Sequence, residues 1–264
     1  MSKVVLKIEN LSISFGGLKA IDDLSFHVKD KEIYGLIGPN GAGKTTAFNC
    51  ITQFYQPDGG KVIFNTLADE DVDLVGEKTH NIIKLGLVRT FQNVELIGDL
   101  TLLDNLLVGA HISYKSGLFA NAFKLPKAVR EEREMTQKAM EILKFLEIQD
   151  KAHELAGGQP YGVLKKVELG RTLMSNSKFI ILDEPAAGLN DTETADLAKL
   201  IRRIRDEYNC TVLLVEHDMR LVMDICDRIC AISFGKKLAE GTPPEIQASK
   251  EVQAAYLGSE DEDE

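Results

Sequence analysis

No apolar stretch in this chain reaches the eighteen residues expected of a membrane-spanning helix. Met1 to Leu6 lacks a basic segment followed by an apolar core, so no secretory signal is expected. The cysteines are Cys50, Cys210, Cys226 and Cys230, and no pair has the C-x-x-C spacing of the common zinc and redox motifs. Cys226 and Cys230 are expected at i, i+4 on a helix, as small apolar fillers in a reducing compartment. There is no internal repeat and no low-complexity linker ahead of the last residues. Nor is there an excess of positive charge: the net charge is -10, which argues against a nucleic-acid partner. Five acidic residues fall in the last six positions, Ser259 to Glu264, so about half of that imbalance belongs to the tail. The tail, 259–264, is expected to be disordered and solvated.

The remaining composition is ordinary for a soluble globular protein, with 44% hydrophobic and 27% charged residues. A length of 264 residues is ample for a large core. Strand patterns run over Val4 to Ile8, Leu11 to Phe15, Phe26 to Val28 and Ile33 to Ile37, then Lys61 to Phe64 after the turn Pro57-Asp58-Gly59-Gly60. The character becomes helical from about Leu100 to Gln149; Met135, Ala139, Ile142, Leu143 and Leu146 share one helical face. Strand patterns return at Phe179 to Leu182, Thr211 to Val215 and Ile229 to Ser233, with helices between them. This alternation predicts an α/β fold: a mainly parallel sheet flanked by helices, an antiparallel β portion at the N-terminus and a helical insertion. The nucleotide core is expected over 1–94 and 161–258, and the insertion over about 95–160.

The strongest local signal is Gly38-Pro39-Asn40-Gly41-Ala42-Gly43-Lys44-Thr45, which fits the phosphate-binding P-loop G-x-x-x-x-G-K-[ST]. An apolar strand precedes it, and Thr46 to Thr52 can continue as a helix. The glycines let the backbone N–H groups turn inward around phosphates, and the helix N-terminus favours the anion. Lys44 supplies a point charge to the β- and γ-phosphates, and the Thr45 hydroxyl can ligate Mg²⁺. A second signal is Phe179-Ile180-Ile181-Leu182-Asp183-Glu184, an apolar strand ending in two carboxylates. Asp183 would hold Mg²⁺, directly or through water, and Glu184 would polarise the attacking water. His217 follows a strand directly, at the end where ligands bind in open α/β sheets, and can donate to the γ-phosphate. Gln92 stands at the edge of the helical insertion, where its amide can reach the metal or water.

Taken in order, these features resemble the ABC ATPase family over essentially the whole chain. The resemblance implies the P-loop NTPase fold. It places the family's signature at the helix beginning Tyr161-Gly162 and the D-loop at Ala187-Gly188-Leu189-Asn190. It also puts Phe15 where an aromatic stacks on adenine, and adds Pro39, Asn40, Ala42 and Thr46 to the nucleotide contacts. Gly86 to Gln92, Gly117-Leu118-Phe119, Glu184 to Asn190 and Ala255-Tyr256-Leu257-Gly258 are similar to the branched-chain amino acid import ATPases. Related importers of urea or amides share these features, and soluble ABC ATPases are the non-transport alternative. What the resemblance implies is an ATP hydrolase using ATP and Mg²⁺, peripheral to the cytoplasmic face of the cell membrane. Its implied partners are two integral membrane permease subunits, a second cassette and, indirectly, an extracytoplasmic solute-binding protein.

The chain departs from the family in its signature, where Val163 and Leu164 replace the usual glutamines and Pro160 the usual serine. Leu155-Ala156-Gly157-Gly158-Gln159 looks like a signature, but it precedes the expected helix. Counting nine residues from Gly162 reaches Arg171, the position of the family's arginine, whereas the same count from Gly158 reaches Val167.

Overall fold

The structure, a computed structural model, describes residues 3–90, 94–110 and 125–257. It comprises two compact units, one built from Met1–Arg89 and Lys178–Glu264, the other from Thr90–Ser177.

The larger unit holds two sheets. The first is antiparallel, in the order β2-β1-β4-β5, from β1 (Val4–Phe15), β2 (Leu18–Lys29), β4 (Gly59–Asn65) and β5 (Asp71–Asp73). The two short strands expected before residue 16 form one long strand. Register slips between Ile8 and Leu11, beside Asn10 in the left-handed region, so apolar residues on both sides of the slip stay buried. The second sheet has the order β10-β9-β3-β8-β7-β6. Its parallel members are β3 (Ile33–Ile37), β6 (Leu87–Arg89), β7 (Phe179–Asp183), β8 (Thr211–Val215) and β9 (Arg228–Ser233); β10 (Lys236–Gly241) pairs antiparallel at the edge.

Strands β3, β7 and β8 are buried at every position, which is why each reads as a continuous apolar run. Short β5, β6 and β10 lack such a run and have no counterpart among the expected strands. One cluster of buried side chains joins both sheets to α1 (Lys44–Ile51), through Ile8, Phe26, Tyr34, Phe48, Phe64 and Phe179 among others. Five further helices, α2 (Thr79–Leu85), α6 (Asp191–Glu207), α7 (Met219–Ile225), α8 (Pro243–Ala248) and α9 (Lys250–Leu257), complete the unit among the described residues. Helix α6 begins with a full capping box, Asn190 to Glu193.

One expectation fails here. Cys226 and Cys230 do not share a helix: α7 stops at Ile225, Cys226 is extended, and Cys230 lies on β9. The cause is Asp227, which exchanges backbone and side-chain hydrogen bonds with Ile33 and draws the chain into the sheet. All four cysteines are buried free thiols.

The smaller unit contains α3 (Leu102–Gly109), α4 (Pro126–Phe145), a 3-10 turn (Gln149–Lys151) and α5 (Tyr161–Met174). The Thr101 hydroxyl caps α3 by accepting from the Asp104 N–H. Along α4 and its extension, Ala139, Ile142, Leu143 and Leu146 are buried as the periodicity predicts, whereas Met135 is only half-buried. Helix α5, expected with the nucleotide core, groups with the helical unit instead. Its Gly170 lies so close to Leu106, Ile142 and Leu146 that a Cβ there would come within 3.1 Å of each. On this helix Val167 and Met174 are buried and Leu164 is half-buried, while Lys165 and Glu168 pair beneath the surface at 3.4 Å.

Candidate functional site

The loop between β3 and α1 follows from its glycines. Gly41 (φ 76°) and Gly43 (φ 102°) are left-handed, and a Cβ on Gly43 would sit 2.7 Å from the Ala20 carbonyl. Helix α1 begins without a side-chain cap, which leaves the N–H groups of its first turn for a ligand. Lys44 is buried, and its ammonium donates to the carbonyls of Gly38 (2.6 Å) and Pro39 (3.0 Å). Burial lowers the pKa of Lys44, and the Glu184 and Asp183 carboxylates oppose that shift. Two outer elements brace the loop. Gly235 donates its N–H to the Ala42 carbonyl (2.9 Å), and the Tyr256 phenol on α9 is hydrogen-bonded to the Gly38 backbone.

Beside the loop, β7 delivers two carboxylates to different surroundings. Asp183 is buried, and its Oδ2 accepts from Arg89 at 2.6 Å. The other arm of Arg89 donates to Asn49 on α1, also at 2.6 Å, so this arginine ties β6, β7 and α1 together. Its Nε is buried without a partner among the described residues. Glu184, one residue on, is left-handed (φ 46°), an uncommon conformation for a long side chain and a form of strain that gathers at functional sites. Its N–H is held by the Val215 carbonyl at 2.9 Å, and its Oε1 lies 2.9 Å from Nε2 of His217. Glu216 sets the frame for that pair. Its buried carboxylate accepts from the N–H groups of Ala186 (2.6 Å), His217 (3.0 Å) and Asp218 (3.3 Å). Burial raises the pKa of Glu216; the backbone donors pull it back, and the Glu184 charge adds to the rise.

A cavity of about 480 Å³ opens over the loop. It gathers Phe15, Asn40, Gly41, Ala42, Gly43, Lys44, Thr45 and Thr46 with Glu184 and His217. Gly38 and Pro39 lie beneath as the lysine's acceptors, and Asp183 is set behind in its pair with Arg89. Phe15 is exposed and meets Tyr55 edge-on, with ring centroids 5.2 Å apart. Gln92 lies outside the described residues. Tyr161 and Gly162 occupy the first turn of α5 in the helical unit, with Pro160 at the N-cap. The Leu155 to Gln159 segment is a turn ahead of that helix, held by Ala156 N–H to Leu100 and Gly157 N–H to Gly98, each at 2.9 Å.

The profile of the ABC transporter family matches residues 21–187. The chain belongs to the ABC transporter family. A second profile, the branched-chain amino acid ATP-binding cassette transporter, matches residues 236–262 of this ABC protein. It is 44% identical over 258 residues to the high-affinity branched-chain amino acid transport ATP-binding protein BraF of Pseudomonas aeruginosa, covering 98% of this chain and 99% of that one. With LivG of Escherichia coli K12, of the same description, identity is 42% over the same shares. Among solved structures it resembles the ADP conformation of MJ1267, an ATP-binding cassette of an ABC transporter, with TM-score 0.84 and 32% identity, covering 97% of this chain and 100% of that one.

Arg89, Glu216 and Phe234 of this ABC protein, the last at the cavity rim, were not legible as site residues. Glu216 stands next to His217, and a carboxylate closing an apolar strand was its only available signal.

Proposed function

We propose that this ABC protein binds and hydrolyses ATP at the P-loop cavity and powers uptake of branched-chain amino acids through membrane permease partners. The observation that carries the reading is the placement of the Glu184–His217 pair at the same cavity as the P-loop. The residues present fit a magnesium nucleotide. A buried ammonium rests on loop carbonyls, αL glycines shape the loop above it, and the hydroxyl of Thr45 and carboxylate of Asp183 are hard oxygen donors of the kind Mg²⁺ takes. The Thr45 hydroxyl, Asp183 and Gln92 would hold the ion, which supplies charge neutralisation on the phosphate oxygens.

Lys44 leaves the Gly38 and Pro39 carbonyls to meet the β- and γ-phosphates, and the start of α1 adds its N–H groups and dipole. Glu184 accepts a proton from the attacking water. With Glu184 ionised, the His217 ring N–H donates to it and fixes its direction; a bound γ-phosphate competes for that same N–H. Phe15 offers a face to adenine.

Two cassettes would meet head-to-tail, each offering Tyr161 and Gly162 at the start of α5 to the nucleotide of the other. No helix among the described residues is long and apolar enough to cross a membrane. The chain would dock on integral permease subunits at the cytoplasmic face. The solute follows from BraF and LivG, whose names give branched-chain amino acid transport.

The test is reconstitution with the permease and binding proteins that co-purify with the chain, followed by ATP-dependent uptake of labelled leucine, urea or acetamide. Uptake of leucine, abolished by Lys44→Ala, is expected. Preferential uptake of urea or acetamide would reassign the solute, and uptake indifferent to Lys44→Ala would remove the chain from the power stroke.

A further inference from the structure

Strands β9 and β10 pair with Ser233 opposite Lys236, so Phe234 and Gly235 alone form the turn between them. Both are left-handed, with φ of 46° and 75°. That is the pattern of a type I′ hairpin turn, whose favoured sequences are Asn-Gly and Asp-Gly because the first position strains any bulky side chain. Phenylalanine is a poor choice for it. It is also poorly used by the fold. At 86% exposure, Phe234 is the most exposed large apolar side chain among the described residues.

Gly235, by contrast, is dictated by packing. Its N–H donates to Ala42, its carbonyl accepts from Asp22 at 2.9 Å, and a Cβ there would meet the Ala20 carbonyl at 2.5 Å. The turn is thus pinned against the P-loop and the start of β2, and the aromatic ring is carried to a fixed place. That place is the rim of the nucleotide cavity, where Phe15 and Leu18 supply further apolar surface. The polar loop and the Glu184–His217 pair take the phosphate end of a nucleotide. The aromatic and aliphatic rim is chemically matched to its flat end.

We propose that Phe234 is a nucleobase-contacting residue, which adds an aromatic surface to that of Phe15 and raises affinity for purine nucleotides. This rests on the reading of the cavity as the ATP site. It gives a reason for a strained conformation and an exposed ring that contribute nothing to the core.

The experiment is calorimetric titration of the full chain with Mg-ATP and with Mg-tripolyphosphate, which lacks base and sugar. The proteins compared are wild type, Phe234→Asn, Phe234→Trp and Lys44→Ala. Base–aromatic stacking predicts about a fivefold or greater loss of ATP affinity in Phe234→Asn. Tripolyphosphate binding should stay within about twofold, and Phe234→Trp should retain wild-type ATP affinity. Phe234→Asn should also melt a few degrees higher, because asparagine suits the turn.

Unchanged ATP affinity in Phe234→Asn, with binding abolished by Lys44→Ala, overturns the proposal and leaves the ATP site standing. Binding unaffected by Lys44→Ala overturns both. Equal weakening of ATP and tripolyphosphate would place the residue at the phosphates and overturn the proposal. So would weakened nucleotide-dependent dimerisation at unchanged ATP affinity, since the ring would then serve a second copy of the chain. A lower melting temperature for Phe234→Asn removes the turn argument and the inference with it.

Discussion

Replacing Glu216 by alanine tests whether the Glu184–His217 pair is held by its frame or by itself. The carboxylate accepts three backbone N–H groups, those of Ala186, His217 and Asp218. Ala186 is buried, so its N–H loses a close 2.6 Å acceptor where water has little access. An unsatisfied buried donor costs about 1–3 kcal/mol. The other two donors lie nearer the surface and can turn to water. Removing a buried charge whose pKa is raised by desolvation returns part of the loss. The net expectation is about 2 kcal/mol of destabilisation, or roughly 4–8 °C in melting temperature for a chain of this size. Activity should suffer more than stability. The segments on both sides of the Glu184–His217 contact lose their common anchor, and a displacement near 1 Å at a reacting group can cost about a hundredfold. The expected kinetic signature is a kcat at least about tenfold lower, with KM for ATP nearly unchanged because the P-loop is untouched. Steady-state phosphate release and thermal melting measure both. A variant with native kcat would show that the pair needs no such frame. A variant that raises KM and spares kcat would place Glu216 in binding rather than positioning.

Glu184→Gln should keep Mg-ATP binding while hydrolysis falls by about two orders of magnitude or more, since an amide cannot take a proton; single-turnover hydrolysis at the native rate would exclude Glu184 as the base. Gly162→Asp should cripple nucleotide-dependent hydrolysis by setting a carboxylate against the partner's γ-phosphate, whereas Gly158→Ala, in the turn ahead of α5, should cost much less. Parallel ATPase assays decide it, and the reverse ranking moves the working signature to Gly158. Burial pushes the Cys50 thiol up to about 11 and that of Cys230 to about 12, and raises Cys226 as well. The native chain should therefore release no rapid thiol signal from these residues with Ellman's reagent at pH 8, and all four thiols should appear in denaturant. Rapid native reaction would contradict the packing around them.

What could be read in advance was what is local along the chain. The P-loop, its preceding strand and its following helix occupy Ile33 to Ile51, and the buried strands announce themselves as unbroken apolar runs. The family was legible because its motifs keep a fixed order. What escaped depends on partners distant in sequence. Arg89 becomes a site residue only when β6 is laid beside β7 and α1 brings Asn49 to its other arm. Glu216 matters through Ala186, thirty residues earlier. Cys226 and Cys230 have helical spacing, yet Asp227 locks onto Ile33 and turns the chain into a strand. Helix α5 looked like part of the core because its first residues carry a nucleotide motif; its packing face, centred on Gly170, belongs with α3 and α4.

The hydrogen bonds that Lys44 makes with Gly38 and Pro39 bear on the return half of the cycle. A buried ammonium with no acceptor would cling to any phosphate and make ADP hard to expel. Here the loop itself supplies two acceptors for the lysine, so on the proposed reading nucleotide entry would be an exchange of acceptors and not a rescue of a stranded charge. Affinity measures the difference between two satisfied arrangements. On the proposed reading, product departure would return the ammonium to the loop's own carbonyls and ready the same loop for the next ATP.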